Sequence, residues 1–90
     1  MKKLELYFFP QCPYCQIVLS ALKVTGLESK VEMKDIHDEP KHKAQLVSDT
    51  GRGTVPCLYI DGKPMHESKD IAKWIHTYAK KIQDTDQLKS

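Results

Sequence analysis

Leu4-Glu5-Leu6-Tyr7-Phe8-Phe9-Pro10-Gln11-Cys12-Pro13-Tyr14-Cys15 is the stretch on which the reading of this chain turns. Its first six residues form a short apolar run rich in strand formers, which Pro10 ends. Behind the two cysteines, Ile17, Val18, Leu19, Ala21 and Leu22 recur at helical spacing until Gly26 stops the pattern. The cysteines therefore sit at a strand-to-helix turn. Pro13 suits the first helical position, where its missing N–H costs nothing. Cys12 then takes the N-cap. Its sulfur stands where a capping oxygen accepts N–H bonds from the next turn, here those of Tyr14 and Cys15. Those donors and the positive helix end favour thiolate over thiol. Cys15, one turn further on, is within disulfide reach and less exposed, so the pair divides into attacker and resolver.

Other chemistries for the pair are weaker. A structural pair in the core conflicts with Gln11 and Pro13, which belong to a surface turn. A zinc site needs two further ligands, and no second cysteine pair exists. Only Cys57 and four scattered histidines remain (His37, His42, His66 and His76), and the histidines, lacking motif spacing, read as surface. No metal site is expected. Three cysteines are a poor disulfide framework for a secreted domain and suit a reducing compartment, the cytoplasm. Glu5, Pro10 and Gln11 interrupt any secretory apolar run, and no stretch approaches a membrane span.

Outward from the motif, Val31 to Ile36 carries a weaker strand signal. Asp38-Glu39-Pro40 reads as a helix start, with acids at the positive end and proline in the first turn. That helix ends near Thr50-Gly51. Thr54-Val55-Pro56 leads into a strand, Cys57-Leu58-Tyr59-Ile60. Asp61-Gly62 predicts a hairpin, and Lys63 to His66 its return strand, an edge because Pro64 cannot donate to a ladder. Ser68 is placed as the cap of a last helix with the stripe Ile71, Trp74, Ile75, Tyr78 and Ile82. The order is β-α-β-α-β-β-α. A βαβ start requires a parallel pair and the hairpin adds an antiparallel one. The fold class is therefore α/β: a mixed four-stranded sheet with three helices, the thioredoxin-like architecture. The 90 residues form one domain, with a frayed tail from about 84 to 90. A net charge of +2 and dispersed lysines exclude a nucleic-acid face.

Cys-Pro-Tyr-Cys after a short strand, Thr54-Val55-Pro56 about forty residues later, and an Asp-Gly hairpin before the last helix together resemble glutaredoxin. The resemblance runs from about Leu4 to Tyr78. It implies reduction of protein disulfides and glutathione mixed disulfides, with glutathione as co-substrate and no permanently bound cofactor. Cys12 matches the nucleophile and Cys15 the resolving cysteine. Tyr14 matches the aromatic residue beside bound glutathione. Pro56 matches a proline that is cis in this fold, and Val55 the residue whose backbone pairs with the cysteinyl part of the ligand. Implied partners are glutathione and disulfide-containing or glutathionylated proteins, with the chain a monomer. Two other roles for the same cysteines are a glutathione-ligated iron–sulfur module and an electron donor served by thioredoxin reductase. Pro13, in place of the glycine associated with cluster binding, disfavours the former.

Two departures from the pattern matter. Phe9 stands where many glutaredoxins have a lysine, so a cation for the glycyl carboxylate must come from Arg52 or Lys43. Before the last helix, Glu67-Ser68 replaces the usual Gly-Gly. This pair resembles the segment of glutathione transferase N-terminal domains that holds the γ-glutamyl carboxylate. A helix N-terminus there offers the backbone N–H groups of Ser68 and Lys69 to an anion. Cys57 is expected to be a buried, inert strand residue.

Overall fold

A computed structural model describes residues 2–89, with side chains through residue 82. The elements follow the expected order. Strand β1 is Leu4–Phe8, helix α1 Pro13–Thr25, β2 Val31–Asp35, α2 Pro40–Thr50, β3 Cys57–Ile60, β4 Lys63–Met65 and α3 Ser68–Lys89. A single 3₁₀ turn, Glu28–Lys30, precedes β2. Helix α3 is assigned through Lys89; the side chains of the tail expected to fray, from about 84 to 90, lie outside the described residues.

The sheet order is β2-β1-β3-β4. β1 pairs in parallel with β2 and antiparallel with β3, and β3 pairs antiparallel with β4. The sheet is thus the mixed four-stranded one expected. The period of two along β1 and β3 divides the interior into two cores. Leu4, Leu6 and Phe8 of β1 and Leu58 of β3 face α1 and α3, meeting Cys15, Val18, Leu22, Ile71 and Ile75. Tyr7, Cys57 and Tyr59 point the other way, and pack with Ile36 and with Leu46 of α2. In register, Leu6 opposes Leu58 and Tyr7 opposes Cys57, so cross-strand partners share a face.

The termini of these elements have local causes. Gly26 adopts φ 75°, and its N–H returns to the carbonyls of Leu22 and Lys23, a left-handed C-cap that side chains disfavour. The hairpin between β3 and β4 has two residues with positive φ, Asp61 at 50° and Gly62 at 84°, as a type I′ turn requires. Asp61 also ties the hairpin to the start of β1. Its N–H donates to the Lys3 carbonyl (2.9 Å), and its Oδ1 accepts the Lys3 N–H (2.8 Å). On α1, the structure corrects the expected apolar face. Ile17 is 41% exposed, while Cys15, Val18, Ala21 and Leu22 are buried; the buried stripe follows every third or fourth position from Cys15 and leaves Ile17 at its side.

Candidate active site

The site lies where β1 ends and α1 begins, and the loop before β3 and the start of α3 close it. Cys12 is the N-cap of α1, in extended conformation (φ −76°, ψ 120°), and Pro13 follows it inside the helix. Its Sγ accepts the Cys15 N–H at 3.4 Å. The turn is held by the Cys12 N–H on the Phe9 carbonyl (3.2 Å) and by the Gln16 side-chain amide on the Pro10 carbonyl. Cys12 is 6% exposed and Cys15 fully buried. The order of access is the one the attacker–resolver division requires. Burial pushes the Cys15 thiol up to about 12, with the neighbouring Cys12 adding to the rise and a Phe9 backbone hydrogen bond opposing it. Cys15 is therefore a protonated thiol at neutral pH.

Beside the motif runs a groove of about 560 Å³. It brings together all six residues proposed to bind glutathione: Tyr14, Val55, Pro56, Glu67, Ser68 and Lys69. Three separated segments supply them. Tyr14, 64% exposed, stands at the start of α1. The Val55–Pro56 peptide is cis, as the resemblance implied. The third segment is the turn into α3. Of the two candidate cations, Arg52 lines the groove and Lys43 does not. Arg52 is held by Thr50, whose hydroxyl donates to the Arg52 carbonyl (2.8 Å) and accepts its N–H (3.3 Å). Lys43 instead lies against Gly53, where a Cβ would approach its Cε to 3.2 Å.

The entry to α3 differs from the expectation in one respect. The Ile71 N–H donates to the Glu67 carbonyl at 3.0 Å, so Glu67 occupies the cap position and Ser68 is the first helical residue. Ser68 is not the N-cap. Its hydroxyl is released from capping, and the first-turn N–H groups of Ser68, Lys69 and Asp70 have no intrahelical acceptor. Glu67 has φ 43°, in the left-handed region that costs an L-residue about 1–2 kcal/mol. A glycine-favouring backbone thus persists where glutaredoxins carry their glycines.

Three groove residues were missed by the sequence reading: Thr54, His66 and Asp70. Thr54 and Asp70 adjoin assigned residues, which was the available signal. His66 corrects the placement of every histidine on the surface. Its Nδ1 is sealed from solvent and finds no partner. Burial and the nearby Arg52 charge hold its pKa below the ordinary value, against an opposing pull from Glu67. The other distant cysteine, Cys57, is fully buried in the α2-side core, and burial raises its thiol to about 11. Among the described residues, no group of three or more His, Cys, Asp or Glu side chains is placed to hold a metal ion. Among the same residues, no helix is long and apolar enough to cross a membrane.

Comparison with known proteins agrees with this fold. Residues 6–81 match the model of the glutathione S-transferase N-terminal domain. Protein IN2-1 homolog A of Oryza sativa subsp. japonica is 35% identical over 76 residues, which are 82% of this chain and 30% of that protein. A probable glutaredoxin of Acanthamoeba polyphaga mimivirus is 30% identical over 79 residues, 78% of this chain and 74% of the viral one. Among solved structures, an epsilon-class glutathione S-transferase from the housefly, Musca domestica, superposes with a TM-score of 0.71 at 25% identity, covering 86% of this chain and 35% of the transferase. The chain thus spans about a third of the plant and insect proteins and three quarters of the viral one. It belongs to the glutathione S-transferase N-terminal domain family, a thioredoxin-like domain family, and has glutaredoxins among its relatives.

Proposed function

We propose that this chain is a glutathione-dependent thiol–disulfide oxidoreductase acting through Cys12 and Cys15. The observation that carries the reading is the convergence, beside an N-capped cysteine, of a cis X–Pro edge, an Arg52 cation and the open N-terminus of α3 in one groove. Glutathione is a short extended peptide with a carboxylate at each end. The Val55 backbone can pair with its cysteinyl unit as a strand would. The first-turn N–H groups and the Ser68 hydroxyl receive the γ-glutamyl carboxylate. Arg52 receives the glycyl carboxylate, and Glu67, Lys69 and Tyr14 complete the walls.

In the reaction, Cys12 Sγ attacks one sulfur of a substrate disulfide. A mixed disulfide forms, and the other substrate sulfur leaves as a thiolate and takes up a proton. Release follows one of two routes. Cys15 gives up its proton and attacks Cys12 Sγ, which breaks the mixed disulfide, releases the second substrate sulfur as a thiolate that takes up a proton, and closes the Cys12–Cys15 disulfide; two glutathione thiols then return the pair to the dithiol as they become glutathione disulfide. Alternatively, when the mixed disulfide is with glutathione, a second glutathione thiolate attacks the glutathione sulfur, which releases Cys12 as a thiolate and forms glutathione disulfide. Glutathione is consumed as co-substrate and no cofactor is permanently bound. Disulfide-containing and glutathionylated proteins are the substrates, and the chain works as a monomer in the cytoplasm.

The test is both reactions on both single variants. Cys12→Ser is expected to abolish both. Cys15→Ser is expected to lose reduction of protein disulfides that need two thiols and to keep reduction of a small glutathione mixed disulfide. A folded Cys15→Ser variant dead in both assays would overturn the mechanism.

A further inference from the structure

Strands β1 and β2 stay paired to their last residues and one step beyond, where the Ile36 N–H donates to the Phe8 carbonyl at 2.9 Å. That bond brings together Phe9, which leads into the cysteine motif, and His37. Asp35 fixes the turn that carries His37. Its Oδ1 accepts the His37 N–H (2.9 Å) and the Asp38 N–H (3.1 Å), a local turn that aspartate favours. The His37 ring stacks on the Phe9 ring, with centroids 4.2 Å apart and planes 19° from parallel. Phe9 is half-buried and packs against both cores, so the exposed His37 adds a further restraint to it. The Phe9 peptide anchors the motif. Its carbonyl accepts the Cys12 N–H at 3.2 Å, and Cys12 so placed has its Sγ on the Cys15 N–H.

We propose that His37 is a positioning residue for the Cys12–Cys15 pair: stacked on Phe9, it holds the peptide that anchors Cys12 and so favours the dithiol over the disulfide. This rests on the dithiol reading above and deepens it. The anchored turn is the arrangement of the free thiols, and in it Cys12 Sγ has an N–H that favours thiolate. Closing the disulfide turns Sγ away from that N–H and towards Cys15 Sγ. A restraint on the anchor therefore stabilises the reduced pair, and a dithiol whose reduced form is stabilised is the stronger oxidant. One aromatic pair can shift such an equilibrium by up to about tenfold. The glutathione groove is not involved, since its walls include neither Phe9 nor His37.

The experiment equilibrates the wild-type chain, His37→Ala and His37→Phe with mixtures of 2-mercaptoethanol and its disulfide, a couple without the carboxylates of glutathione. Two mercaptoethanol thiols are oxidised to their disulfide as the Cys12–Cys15 disulfide becomes the dithiol. After an acid quench, alkylation in denaturant and mass measurement count the free thiols. His37→Ala is expected to shift the equilibrium about three- to tenfold towards the protein disulfide. His37→Phe, which keeps a ring on Phe9, is expected to return it to within about twofold of the wild type. An unchanged or oppositely shifted His37→Ala equilibrium, or a His37→Phe equilibrium as altered as that of His37→Ala, would overturn the proposal while the dithiol reading stood. A His37→Ala chain without a cooperative thermal transition would also overturn it, because the stack would then serve the fold. A wild-type chain that forms no Cys12–Cys15 disulfide in any mixture would overturn both.

Discussion

Cys15 and Cys12 differ by three positions and by very little exposure, yet their chemistry diverges. Both belong to the α1–α3 core, but Cys15 has no exposure at all, while Cys12 is at the helix N-terminus with an N–H on its sulfur. Burial holds Cys15 and Cys57 as thiols far above neutrality, and the thiolate is the reactive form. Brief treatment of the reduced native protein with iodoacetamide near neutral pH should therefore add one carbamidomethyl group, at Cys12. Unfolding in denaturant before treatment should give three. Peptide mass mapping reads both outcomes. Modification of Cys57 at the rate of Cys12 would show that the second core does not shield it.

The element that shapes the site most is the turn into α3. Met65 ends β4, His66 faces the groove, and Glu67 must take φ 43° for the helix to start at Ser68. An L-side chain there costs about 1–2 kcal/mol, and a glycine relieves that cost while losing about 0.5–1 kcal/mol through unfolded-state entropy. Glu67→Gly is accordingly expected to leave stability unchanged or raise it by up to about 1 kcal/mol, measured by urea unfolding. It should also change glutathione turnover, because it removes one carboxylate from the groove wall. Equal losses of stability for Glu67→Gly and Glu67→Ala would mean that the Glu67 side chain, and not its backbone, secures the turn. The β3–β4 hairpin contrasts with this turn. Asp61-Gly62 supplies residues that tolerate positive φ at both places, so its geometry and its sequence agree.

Over the whole molecule, two cores share one sheet, and each contains a thiol with a raised pKa. The sign of the effect on stability follows from linkage. Between the ordinary thiol value of 9.0 and the folded values of about 11 and 12, the unfolded chain has released protons that the folded chain retains. Stability is therefore fully present below the ordinary thiol range and declines as pH rises through the folded values. Tyr59, raised by burial and by the Asp49 carboxylate that accepts its hydroxyl at 3.2 Å, acts in the same direction. Urea midpoints should fall between about pH 8 and about pH 10.5. Cys57→Ala should flatten that fall, lowering the midpoint at about pH 8, where it opens a small void in the α2-side core, and offsetting that loss at about pH 10.5, where it removes the thiol whose proton the folded chain retains. A midpoint independent of pH in this range would refute the linkage.

Much of this molecule was determined by its sequence alone, for reasons that act over a few residues. The order of strands and helices follows from apolar periods of two and of three to four. Pro13 and Pro40 start helices, Gly26 and Gly51 end them, and Asp61-Gly62 folds the hairpin. Cys12 at the N-cap and Cys15 one turn inside are consequences of the same local rules. Six of the ten groove residues were recognisable through their resemblance to known motifs, and the fold brings them together. What only the tertiary structure decided concerns neighbours across the groove, which come from α1, the loop before β3 and the start of α3. Arg52 and Lys43 are equivalent as charges in a sequence. Thr50 fixes the Arg52 backbone at the groove, while Lys43 is on α2 over Gly53. Ser68 is a good cap by composition, but the path of the chain out of β4 makes Glu67 the cap and leaves the serine hydroxyl without that role. His66, without any spacing signal, becomes a groove residue because the hairpin returns it beside Arg52, where packing covers one ring nitrogen and spares the other.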